Sequence, residues 1–174
     1  MKKREFQRIE AWSKAQADAA SNASPEANVL SQWLAKHGFS PIDVNAAGDH
    51  AITPLMRASK IGDIAIMNSL LRAGARLETR NADGCNALWM ACVGAATEAI
   101  DLLINAGADI NNRNDNGATC AMYAASTGKA PVLAQLIAAG ADLKLESLDG
   151  FTALDSAATV ECLNLLRAAG RKTA

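Results

Sequence analysis

Apolar residues along this chain fall in short clusters at helical spacing, and each cluster stops at a glycine-bearing turn. In the middle of the sequence, NALWMACVG predicts a helix over roughly 87–94. A second helix is predicted to start near Thr97, which can cap it, with Ile100, Leu103 and Ile104 on one face. Ala106-Gly107 closes that helix with Gly at the C′ position. The segment Ala108-Asp109-Ile110-Asn111 then leaves extended. Further forward, Ser24-Pro25-Glu26 reads as an N-cap, an N1 proline and an acidic first turn. Val29, Leu30, Trp33 and Leu34 form the apolar stripe of that helix, and Gly38 ends it. A first helix is expected at roughly residues 4–20, where Phe6, Ile9 and Trp12 share a face among Lys2, Lys3, Arg4, Arg8 and Lys14.

The clusters repeat. Thr53, Asn86, Thr119 and Thr152 are each 33 residues apart, followed two places on by Leu55, Leu88, Ala121 and Leu154. Gly74, Gly107 and Gly140 keep the same period inside SLLRAGARLE, DLLINAGADIN and QLIAAGADLK. So do Gly84, Gly117 and Gly150, each behind Asp or Asn, a pair that turns easily because Gly takes positive φ without a steric cost. One helix pair cannot bury both of its faces, so the units must stack.

The sequence resembles the ankyrin repeat, whose hallmark is T-P-L-H-x-A, a helix pair and G-A-D-I-N. Thr53-Pro54-Leu55-Met56-Arg57-Ala58 keeps most of the first motif, and Gly107-Ala108-Asp109-Ile110-Asn111 keeps the ending intact. The match runs over residues 48–170. It implies an all-α solenoid of stacked helix-turn-helix units with short β-hairpin tips. The expected organisation is a single domain of five units: an N-terminal helix and degenerate capping repeat (1–47), full repeats at 48–80, 81–113 and 114–146, and a C-terminal capping repeat (147–174). Thr152 to Gly170 is three residues shorter than Thr53 to Gly74, and the loss is expected in the inter-helix loop. Asp43-Val44-Asn45 repeats the Asp109-Ile110-Asn111 ending behind a short insertion.

The fourth motif position, normally His in this family, reads Met56, Trp89, Met122 and Asp155. The first three are expected as core, in a sulfur–aromatic ladder between repeats, and Asp155 as a capping or solubility residue. What the resemblance implies about binding concerns the next column and the tips, which in this family commonly touch partners. The groove set is Arg57, Lys60 and Ile61, then Met90 and Val93, then Tyr123 and Ser126. The tips offer Asp49, His50 and Ile52; Arg80 and Asp83; Arg113, Asp115 and Asn116; and Glu146, Leu148 and Phe151. Exposed Ile52, Ile61, Met90, Val93, Tyr123, Leu148 and Phe151 would make an apolar strip with charged edges, the composition of a protein-binding surface.

Composition narrows the remaining chemistry. The chain of 174 residues carries a net charge of −1 and a pI of about 6.1, without the basic stripe that nucleic acid needs. No 18-residue apolar run is present, and the basic N-terminus lacks the apolar region of a signal peptide. Cys85, Cys92, Cys120 and Cys162 show no C-x-x-C spacing and no neighbouring His, as free buried thiols of a reducing cytoplasm would. No metal or cofactor site is expected, and His37 and His50 are read as solvated. With no G-x-S-x-G, P-loop or H-E-x-x-H, catalysis is not expected. The expectation is a monomeric cytoplasmic protein, of bacterial composition, that binds a partner protein. The alternatives are an immunity-type inhibitor blocking a partner's active site, and a membrane-associated adaptor using the basic N-terminal helix. The pattern favours that helix as the cap of the stack, since an open repeat end must be covered.

Overall fold

The computed structural model describes residues 25–172. Among these lie eight α-helices: α1 (Pro25–Lys36), α2 (Pro54–Ile61), α3 (Ile64–Arg72), α4 (Ala87–Gly94), α5 (Thr97–Asn105), α6 (Cys120–Ser126), α7 (Ala130–Ala138) and α8 (Val160–Lys172). The first helices of successive units, α2, α4 and α6, pack side by side in one layer. The second helices α1, α3, α5, α7 and α8 form the other. Three units are complete helix pairs.

The threonine column explains itself at the helix starts. The Thr53 hydroxyl accepts from the Met56 N–H at 3.3 Å, the Asn86 side chain from Trp89 at 2.9 Å, and Thr119 from Met122 at 3.3 Å. Each cap satisfies an amide that the first helical turn leaves without a partner. The methionine sulfurs complete the box, accepting from the Thr53 and Thr119 N–H groups at 3.5 and 3.4 Å. Met56, Trp89 and Met122 are all buried, as expected. A ring contact also links two repeats, Trp89 with Tyr123, centroids 5.7 Å apart.

The core is thin and alanine-rich. Ala58, Ala91 and Ala124 are fully buried in the first helices, while Met67, Leu70, Ile100, Leu103, Leu133 and Leu136 fill the second layer. Each of the larger side chains contributes about 1.5–3 kcal/mol by leaving water. Small residues let the helices come close, and closest at Gly94, where any Cβ would collide with the Lys60 carbonyl oxygen. The extended segments are tied by asparagines. Asn45 donates to the Gly74 carbonyl at 3.1 Å and accepts from the Arg76 N–H at 2.8 Å, and Asn111 accepts from the Asp142 N–H at 2.9 Å.

Several expectations give way. The tips are hydrogen-bonded turns; among the described residues no strand forms, and one antiparallel bridge joins Arg113 to Thr119. Thr97 is the first helical residue of α5, whose N-cap, Ala96, makes no side-chain cap bond. The last unit loses its first helix, not its loop: Ala153–Ser156 is only a turn, and α8 runs through Gly170 to Lys172. Val29 is exposed, because α1 buries only Leu30 and Leu34 fully. His37 is half-buried rather than solvated, stacked on Trp33 with centroids 4.1 Å apart. Ser24 and the helix expected at 4–20 lie outside the described residues.

Candidate protein-binding face

Each tip is built around one side chain. The Asn81 N–H donates to the Cys85 carbonyl at 2.9 Å, while its side-chain oxygen accepts from the N–H groups of Asp83 (3.0 Å) and Cys85 (2.8 Å). Asn114 repeats the arrangement with Asn116 and Ala118, and Ser147 does so in part with Phe151. An Asx side chain that mimics the backbone in this way fixes the turn. Gly84 and Gly117 then take φ of 76° and 71°. Their missing side chains make room for the next tip, since a Cβ on Gly84 would overlap the Asp115 carboxylate and one on Gly117 would come 2.9 Å from the Leu148 nitrogen.

The tips are joined to one another with the same period. Ala82 donates to the His50 carbonyl at 2.9 Å, Asp115 to Asp83 at 3.0 Å, and Leu148 to Asn116 at 3.0 Å. Arg80 donates through Nε to its own Gly84 carbonyl at 2.9 Å and reaches with Nη2 to the carbonyl of Arg113. Arg113 does the same to Gly117, at 3.0 Å, and to Glu146. These two cations, expected at the partner-binding face, are exposed and also staple the scaffold. Asn81 and Asn114 were not among the expected residues, although their 33-residue spacing marks them. The first tip is different, with His50 and Ala51 in the left-handed region at φ 54° and 57°, where only Gly is at ease.

The layer of first helices and the tips line an open pocket of about 290 Å³ beside α6. It gathers four of the expected residues, Asn116, Tyr123, Ser126 and Phe151, together with Trp89 and Asp149. Of the apolar strip, Ile61, Leu148 and Phe151 are exposed at 57%, 74% and 56%. Ile52, Met90, Val93 and Tyr123 are half-buried and pack against the core, so the exposed strip is narrower than the spacing suggests. Arg57, Lys60, Asp49, His50, Asp83, Asp115, Asn116, Ser126 and Glu146 are exposed as expected. Lys129, which the sequence pattern did not single out, sits with Nζ 5.5 Å from the Tyr123 ring centroid and donates to the Val93 and Cys92 carbonyls at 2.6 and 3.3 Å. It stands one residue before α7, where nothing in the repeat points to a cation.

All four cysteines are free and buried. Burial, helped by Asp83 and Asp115, pushes the Cys85 thiol up to about 11. A hydrogen bond with Cys92 and burial raise the Cys120 thiol well above its usual range. Both are thiols at neutral pH, the weakly nucleophilic form. Asp155 accepts from the Thr152 hydroxyl at 2.5 Å and its N–H at 2.9 Å, bonds that lower its carboxyl below the usual value. The residue therefore completes a cap for the terminal turn. Among the described residues no helix is long and apolar enough to cross a membrane.

A family model described as Ankyrin repeats (3 copies) matches residues 17–114 and again 88–173. No curated protein matches the sequence. Repeats of this kind generally serve as protein–protein interaction modules and are typically non-catalytic.

Proposed function

Because the chain belongs to the ankyrin-repeat family, we propose that it acts without catalysis, by binding one partner protein across the first-helix face and the row of tips. The observation that carries this reading is the exposure of Ile61, Leu148 and Phe151 on a face whose backbone is stapled in place. Large apolar side chains left on a rigid surface are the anchors of protein interfaces. A rigid face also avoids most of the ordering cost of docking. Arg57 and Lys60 at one end and Asp115, Glu146 and Asp149 at the other supply a polar, charged rim.

The test is affinity capture of the tagged protein from its host lysate beside an Ile61→Glu/Phe151→Glu variant. Both side chains are exposed, so the variant should keep its thermal unfolding midpoint. One protein held by the wild type should fall at least about tenfold with the variant, as the loss of two anchors predicts. Equal recovery from both removes this face from the reading.

A further inference from the structure

The pocket beside α6 is unusual for its walls. Five aromatic side chains lie among the described residues, and three of them, Trp89, Tyr123 and Phe151, line this one cavity. Asp149 also lines it, and no Lys, Arg or His does. Asp149 makes no ion pair with any described residue. An aromatic ring that turns its face to a cavity presents negative quadrupole density, and the Asp149 carboxylate adds a full negative charge to the same lining. The molecule's own Lys129 already rests against the Tyr123 ring, which shows that ring accepting a cation, but its ammonium is committed to the Val93 and Cys92 carbonyls. The tip guanidinium of Arg113 is likewise committed, to the Gly117 and Glu146 carbonyls.

Size narrows the occupant. A volume of about 290 Å³ falls at the bottom of the range for small-molecule sites and suits a single long side chain. A planar guanidinium meets both features at once, because it stacks on aromatic rings and pairs with a carboxylate. Resting on the proposed protein-binding role, we infer that this pocket receives an arginine side chain of the partner protein, its guanidinium against Trp89 and Phe151 and paired with Asp149.

The probe is the blocked peptide Gly-Gly-Arg-Gly-Gly, titrated into isotope-labelled full-length protein while the Trp89 indole signal is followed by NMR. Saturable binding with Kd below about 10 mM is expected, as befits one side chain in isolation. The citrulline version, equal in shape but uncharged, should bind at least tenfold more weakly, and the lysine version several-fold more weakly. Asp149→Asn and Phe151→Ala, both at exposed positions, should each weaken the arginine peptide at least threefold with the fold intact by the rest of the spectrum. Equal binding of the citrulline peptide, no effect of Asp149→Asn, or no saturation at all overturns the inference; tighter binding of the lysine peptide overturns the choice of arginine. Peptide failure beside a positive capture experiment sinks only this assignment. Peptide binding with no face-dependent capture sinks the broader reading instead.

Discussion

The second and fourth tips share a design and end differently. Around Gly84 the turn is filled, with the Asp115 carboxylate occupying the space a side chain would need and Arg80 bridging to the next unit. Around Gly150, at the same register, nothing lies within 4 Å of a would-be Cβ. Leu148, Phe151, Leu154 and Val160 are all exposed there. The contrast teaches that stacking, and not the turn itself, consumes the apolar and polar surface of a unit. Where no further tip packs on it among the described residues, that surface stays available.

Substitution at the two glycines should open the widest gap. Gly84→Ala combines left-handed strain with a clash against the next tip and should cost at least about 3 kcal/mol in urea unfolding. Gly150→Ala meets the strain alone and should cost about 1–2 kcal/mol. Similar losses would mean that the filled tip yields without cost. The arginine staple comes next. Arg113→Gln should lose about 1 kcal/mol, since its bonds to carbonyls are charge-assisted but solvent-exposed. Glu146→Gln, at the same register one unit on, should stay within about 0.5 kcal/mol.

Titration separates the two regions in opposite directions. Cys85 holds its proton more tightly folded than unfolded, so its contribution is complete below pH 9 and is lost as pH rises towards about 11. The wild-type unfolding midpoint should therefore fall faster over that window than that of Cys85→Ala. Asp155 is depressed, so its contribution is present above the ordinary carboxylate range and lost as pH falls through the folded value. Asp155→Asn should flatten this acid limb, most visibly in amide exchange of the terminal turn. The smallest effect is a gain. Ala95 occupies the left-handed position that Gly62 and Gly128 hold in the neighbouring units. Ala95→Gly should relieve about 1–2 kcal/mol of strain while adding about 0.5–1 kcal/mol of unfolded-state entropy, a net gain near 0.5 kcal/mol by thermal unfolding.

The period made the architecture legible because each recurring residue acts locally. Thr53 and Asn86 cap, Gly84 turns, and Gly107 closes a helix. Depth was less legible. Tyr123 lies on the expected face, but its ring reaches back to Trp89 and is half-buried. Spacing along a helix fixes the direction of a side chain and not how far a neighbour rises around it. Arg80 and Arg113 look like free charge in the sequence, because their acceptors are carbonyl groups that every residue has. Their shared register with Gly84 and Gly117 was the available clue. The shortened last unit could be counted but not placed, since three lost residues fit either a loop or a helix until α8 is seen running past Gly170.

The tip-to-tip bonds also have a direction. Between backbones, every donor, Ala82, Asp115 and Leu148, belongs to the later unit and every acceptor, His50, Asp83 and Asn116, to the earlier one, while the Arg80 and Arg113 side chains donate in the opposite sense. The next acceptor in that series is the carbonyl of Asp149. A duplicated unit of 33 residues would thus arrive with its donor already facing a matching acceptor, whereas an insertion of any other length within a tip would break two seams at once. Growth by copying whole units is therefore the path that this backbone makes easy.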